Sequence, residues 1–144
     1  MNEDSLNTAL ATKPFGVHLS EKSSLTDALE RLDAYQLRRD LFVGKSCHTL
    51  ESVVVAEREG ADYVFFGPVF ATPSKAEFGS PQGVELLGKV CRSVKIPVIA
   101  IGGIALENAA ECLTAGAAGI AAIRLFQEAA DPAATIGALR RLAE

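Results

Sequence analysis

The chain has 144 residues, a hydrophobic fraction of 49% and a formal net charge of −4. These values suit one globular domain with a real core and exclude a disordered tail, while the lack of any basic cluster argues against a nucleic-acid surface. No apolar run approaches the ~18 residues of a membrane-spanning helix.

The opening residues, MNEDSLNTAL, are polar and acidic, unlike a signal or transit peptide. Three widely spaced cysteines, Cys47, Cys91 and Cys112, fit reduced thiols of a cytoplasmic protein, not a disulfide framework or a zinc site.

Along the chain, short apolar runs alternate with longer amphipathic ones. GVHLS (16–20) reads as a strand and a helix follows near Leu25 to Tyr35, with YQLRR (35–39) as its solvated end. LFVGKS (41–46) is a second strand; Leu50, Val53, Val54 and Glu57 then recur at helical spacing. DYVFFG (62–67) is a third strand, followed by a long polar loop to Gly83 and a helix over Val84 to Ser93. PVIAI (97–101) is a fourth strand, with a helix over Leu106 to Ala115. GIAAIRLF (119–126) is a fifth, with a last helix over Pro132 to Leu142 capped by Asp131. Strands that are apolar on both faces and separated by helices imply a parallel α/β sheet with helical crossovers, in one domain over 1–144.

In such sheets function gathers at the carboxyl ends of the strands. Ser20, then Ser46-Cys47-His48, then Gly67-Pro68 and the loop to Gly83, then Gly102-Gly103, then Arg124 all fall there. Glycines at a strand end let backbone N–H groups approach a ligand, and a helix starting just beyond favours an anion. A lone Gly-Gly would serve equally as a tight turn; Arg124 at the neighbouring strand end tips the reading toward phosphate. In the loop 66–83, Thr72, Ser74 and Lys75 supply two hydroxyls and a cation suited to phosphate or pyrophosphate oxygens. A solvated loop with an idle Lys75 is the plainer alternative.

The segments GVHLS, VGKSCHTLESVVVAEREGADYVFFGPVFATPSK, PQGVELL and IPVIAIGGIALENAAECLTAGAAGIAAIRLF, in this order and spacing, resemble thiamine phosphate synthase and its sister thiazole tautomerase. The resemblance runs from about residue 4 to Phe126. It implies a (β/α)8 TIM barrel, a transferase of thiamine biosynthesis. Such an enzyme joins hydroxymethylpyrimidine diphosphate to thiazole phosphate and releases pyrophosphate, with Mg2+ and basic groups holding the diphosphate. It further implies Ser46 beside the departing diphosphate, Lys75 facing it, and Thr72, Ser74 and Gly103 on the thiazole phosphate. Arg124 falls where the family usually has a small Ser or Thr, and His48 matches the acid-base histidine of the tautomerase, a position where many synthases also carry a histidine. For His18 a structural role is expected.

The five strands would be the fourth to eighth of the family's eight, the first three βα units being absent together with their Gln-x-Arg-x-Lys segment. NEDSLNTALA (2–11) then holds the metal-binding acid, Asp4 or Glu3 by a one-residue ambiguity of register, and the second metal ligand falls at Ser23. Synthase, tautomerase and a noncatalytic phosphate-binding remnant all stay open on these residues. An open half-barrel of this kind is expected to pair with itself.

Overall fold

In the computed structural model, which describes residues 12, 14–72 and 80–142, the chain alternates strand and helix five times. The strands are β1 (Gly16–Leu19), β2 (Phe42–Cys47), β3 (Tyr63–Phe66), β4 (Val98–Ile101) and β5 (Gly119–Ala121). Between and after them lie α1 (Leu25–Ala34), α2 (Leu50–Glu59), α3 (Gly83–Ser93), α4 (Leu106–Thr114), α5 (Arg124–Gln127) and α6 (Pro132–Leu142). Every neighbouring pair is parallel, and the spatial order β1-β2-β3-β4-β5 is the chain order. The expectation of a parallel α/β sheet holds.

Local chemistry sets the helix ends. Ser24 caps α1 by accepting from the Asp27 N–H at 3.1 Å. At α2, Thr49 accepts from the Ser52 N–H at 3.0 Å while Ser52 accepts from the Thr49 N–H at 3.2 Å, a reciprocal capping box. Gly60, at φ 100°, closes that helix in the left-handed conformation. Asp131 caps α6 as expected, accepting from the Ala134 N–H at 3.0 Å.

Side chains alternate across the strands. Val43, Cys47, Val64, Phe66, Val98 and Ala100 are buried on one face, where Leu25, Leu32, Val53, Leu87 and Val90 of the helices complete the core. The other face carries His18, Ser46, Tyr63, Phe65, Ile99 and Ile101, none of them buried. Parallel sheets are normally covered on both faces; among the described residues this second face has no cover.

Two expectations need correction. The run GIAAIRLF forms a strand only over Gly119–Ala121, and Arg124 begins the short helix α5. β5 pairs on one side only, with Ile99 to Ile101, so its ladder stops where β4 stops. In the segment 35–39, Tyr35, Gln36 and Arg39 are exposed as expected of a helix end, but Leu37 and Arg38 are not. Gln36 turns the chain at φ 59°, and Arg38 grips the Asp62 carboxylate with two bonds of 3.0 and 3.1 Å. The same guanidinium donates to the carbonyls of Leu41 and Gly60 at 3.0 and 3.1 Å, clamping the approach to β2 onto the approach to β3.

Candidate phosphate site at the strand ends

β4 ends because Gly102 and Gly103 adopt φ values of 95° and 68°, a region that disfavours any residue with a Cβ. The segment after β3 lies against this turn. The Val69 N–H donates to the Ile101 carbonyl at 2.9 Å and the Phe70 N–H to the Gly102 carbonyl at 3.0 Å. A Cβ on Gly102 would come within 2.6 Å of Pro68, and one on Gly103 within 2.6 Å of the Phe70 and Ala71 carbonyl oxygens. The glycine pair therefore has a packing cause of its own, independent of any ligand. Asn108 of α4 secures the far side, accepting from the Ala105 N–H at 2.8 Å and donating to the Gly103 carbonyl at 3.0 Å.

A cavity of about 780 Å³ opens at the carboxyl ends of β4 and β5, bounded by Thr72, Gly102, Gly103, Ile104, Arg124 and Glu128 among others. The Arg124 guanidinium donates to the Thr72 hydroxyl at 3.2 Å. Four of the residues picked out in the sequence, Thr72, Gly102, Gly103 and Arg124, thus share one concave space with an arginine and turn backbone beside it. That chemistry suits an anion. Arg124 reaches the cavity from the first turn of α5, not from a strand end.

Ser46 and His48 lie two strands away, on and just after β2. His48 Nδ1–H donates to the Gly67 carbonyl, which leaves Nε2 turned toward the Glu21 carboxylate at 3.8 Å. Ser46 Oγ is 3.0 Å from His18 Nε2, and His18 Nδ1 is 3.2 Å from the Tyr63 hydroxyl. His18, expected to be structural, is joined to Ser46, and Tyr63 was not picked out in the sequence. The available signal was parity, since His18, Gly44, Ser46 and Tyr63 all fall on the face opposite the core.

Ser74, Lys75, Asp4 and Glu3 lie outside the described residues. At Ser23 the hydroxyl bonds the Ser20 hydroxyl at 2.9 Å and the carbonyl accepts from Lys45 Nζ at 2.8 Å. Among the described residues no three His, Cys, Asp or Glu side chains come together as a metal site.

A parallel β/α sheet with an anion-suited cavity at the carboxyl ends of its last two strands defines an α/β protein of the kind found in TIM-barrel-like folds. The chain belongs to the thiamine monophosphate synthase family, whose model matches residues 2–126. It is 43% identical to a thiamine-phosphate synthase of Methanocella arvoryzae over 83% of this chain and 55% of that one. With a thiamine-phosphate synthase of Bacillus licheniformis it shares 39% identity over 90% of this chain and 56% of the other. The solved thiamine phosphate pyrophosphorylase of Pyrococcus furiosus superposes with a TM-score of 0.81 at 36% identity, over 96% of this chain and 63% of that chain. The chain thus spans little more than half the length of the curated relatives it matches. A 3-hexulose-6-phosphate synthase, 21% identical with a TM-score of 0.70, shares the fold alone.

Proposed function

We propose that the chain is a thiamine phosphate synthase, joining hydroxymethylpyrimidine diphosphate to thiazole phosphate with release of pyrophosphate. The observation that carries this reading is the convergence of Thr72 and Arg124 on the Gly102-Gly103 turn, in one cavity, in a chain of this family. The thiazole phosphate sits in that cavity, with Ser74 and the Gly103 backbone as further ligands. Ser46 and Lys75 attend the diphosphate. The methylene carbon–oxygen bond breaks, pyrophosphate leaves with the electron pair, and the thiazole nitrogen lone pair forms the new carbon–nitrogen bond. The five strands take the places of the fourth to eighth of a (β/α)8 barrel, a reading supported by the 63% coverage of the Pyrococcus protein. The free thiols Cys47, Cys91 and Cys112 support a cytoplasmic setting.

Mg2+, which would neutralise diphosphate charge, draws on Asp4 and on the diphosphate itself. The described residues alone do not fit the ion, because position 23 is a serine engaged with Ser20 and Lys45. Calorimetry is therefore expected to show no tight Mg2+ binding to the free protein, and a tight isotherm would refute this part.

One observation favours a second reading, a thiazole tautomerase: His48 holds its Nδ1 proton on a backbone carbonyl and leaves Nε2 as the base. The deciding experiment incubates the protein with both synthase substrates and Mg2+, alongside a thiazole phosphate tautomer alone, for parent, Arg124→Ala and His48→Asn. Thiamine phosphate formation that falls in Arg124→Ala supports the synthase. Isomerisation lost in His48→Asn supports the tautomerase. Neither activity, with thiazole phosphate affinity retained, overturns both in favour of a noncatalytic phosphate-binding remnant.

A further inference from the structure

On the open face of the sheet three side chains from three strands form one chain of polar contacts, although only Ser46 belongs to the site described above. His18 on β1 bonds Ser46 on β2 through Nε2 at 3.0 Å and Tyr63 on β3 through Nδ1 at 3.2 Å. For Tyr63 to reach β1 its ring must cross β2. It does so over Gly44, where a Cβ would lie only 2.1 Å from the ring carbon that bears the hydroxyl. Gly44 is buried beneath that ring, although no other described strand residue on the face is. The arrangement is built, since an ordinary residue at 44 would abolish it.

We propose that Tyr63 and His18 act as positioning residues that fix the Ser46 hydroxyl with its oxygen accepting, so that its proton is free to donate to an anionic oxygen. This deepens, and rests on, the reading that Ser46 attends the departing diphosphate. The direction follows from donor strength. A phenol is a better donor than an aliphatic alcohol and a poorer acceptor, so Tyr63 donates to Nδ1. A neutral imidazole that accepts at Nδ1 carries its proton on Nε2, which then donates to Ser46 Oγ. The surroundings keep both partners in these forms. Desolvation, with the Phe65 ring centred 4.4 Å away, lowers the His18 pKa below 6.5. Burial, then the charge of Asp62, raises that of Tyr63 above 10. Ser46 is thereby a donor to the leaving group and not a nucleophile activated by His18.

The test has two arms. In long-range ¹H–¹⁵N spectra only two histidines contribute, and His18→Gln assigns the His18 signals by their loss. The parent is expected to show His18 protonated on Nε2. Tyr63→Phe is expected to show mixed tautomers, and so is Gly44→Ala if circular dichroism shows it folded. A parent with the proton on Nδ1, or a tautomer unchanged in Tyr63→Phe, overturns the proposal. In the second arm, His18→Leu and Tyr63→Phe are expected to lose roughly tenfold in turnover, the size of one hydrogen bond, with KM for thiazole phosphate unchanged. His18→Gln, whose amide still donates to Ser46, is expected to stay within about threefold of the parent. Loss in His18→Gln equal to that in His18→Leu overturns the positioning role. If the parent makes no thiamine phosphate, the synthase reading fails while the spectra still decide the relay.

Discussion

Cys112 is fully buried on α4, and that burial, followed by the charge of Glu111 and the neighbouring Cys91, raises its thiol pKa from 9.0 to about 11. The unfolded chain gives up this proton first as pH rises, so the contribution is complete below pH 9 and is lost between 9 and about 11. The loss is on the order of 2 kcal/mol. Urea unfolding at pH 8 and pH 11 is expected to show a larger drop for the parent than for Cys112→Ala. Equal drops would remove Cys112 as the cause. His18 works the other way: its lowered pKa means the unfolded state binds the proton first, so stability falls as pH drops below 6.5. Arg38 makes four bonds to Asp62, Leu41 and Gly60, with about a quarter of its side chain exposed. Arg38→Ala strands those acceptors and is expected to cost about 2 kcal/mol. Arg38→Lys cannot reproduce the forked pair and is expected to recover less than half. A cycle with Asp62→Asn, read by urea denaturation, checks the coupling; additive effects would show that the clamp is idle.

At the scale of elements, the turn after β4 joins two roles in one place. Gly103→Ala must place a Cβ at φ 68° and 2.6 Å from two carbonyl oxygens, so it is expected to cost a few kcal/mol and ligand affinity together. Arg124→Ala, at an exposed position, is expected to leave the melting temperature within about 2 °C while weakening thiazole phosphate binding several-fold. Gly103→Ala folding with parental stability would contradict the packing account. The strands and helices were readable because their apolar spacing records burial on the helix-covered face. Asp131 was readable as a cap because capping is local. What escaped was set across strands: the alternation that brings Tyr63 over Gly44, and the partner length that stops β5 at Ala121. The fork of Arg38 escaped for the same reason, since Asp62 lies 24 residues away and no local pattern links the two. Around the cavity, Gly102 and Gly103 were picked out by their place at a strand end and Thr72 by the polarity of its loop, whereas Arg124, expected at a strand end, stands in the first turn of α5.

For the whole molecule, the face opposite the core is the dominant physical fact. The rings of Phe15 and Phe42 lie 5.1 Å apart yet remain 83% and 51% exposed, and Ile99, Ile101 and Phe65 lie half-buried farther along. Uncovered apolar surface beside unpaired strand edges drives association. The 144-residue chain is expected to self-associate at micromolar concentration in sedimentation runs, and Phe42→Ser is expected to shift it toward monomer. A monomeric parent with one cooperative unfolding transition would refute this.

The order of the strands has a further consequence during synthesis. Each new strand docks beside the one made immediately before it, so when a segment leaves the ribosome its partner has already emerged. Among the described strands, none of the four pairings waits for a mate still to be translated. Growth of the sheet is therefore vectorial, and a pause in translation after any helix leaves a nascent chain whose finished strands are already paired.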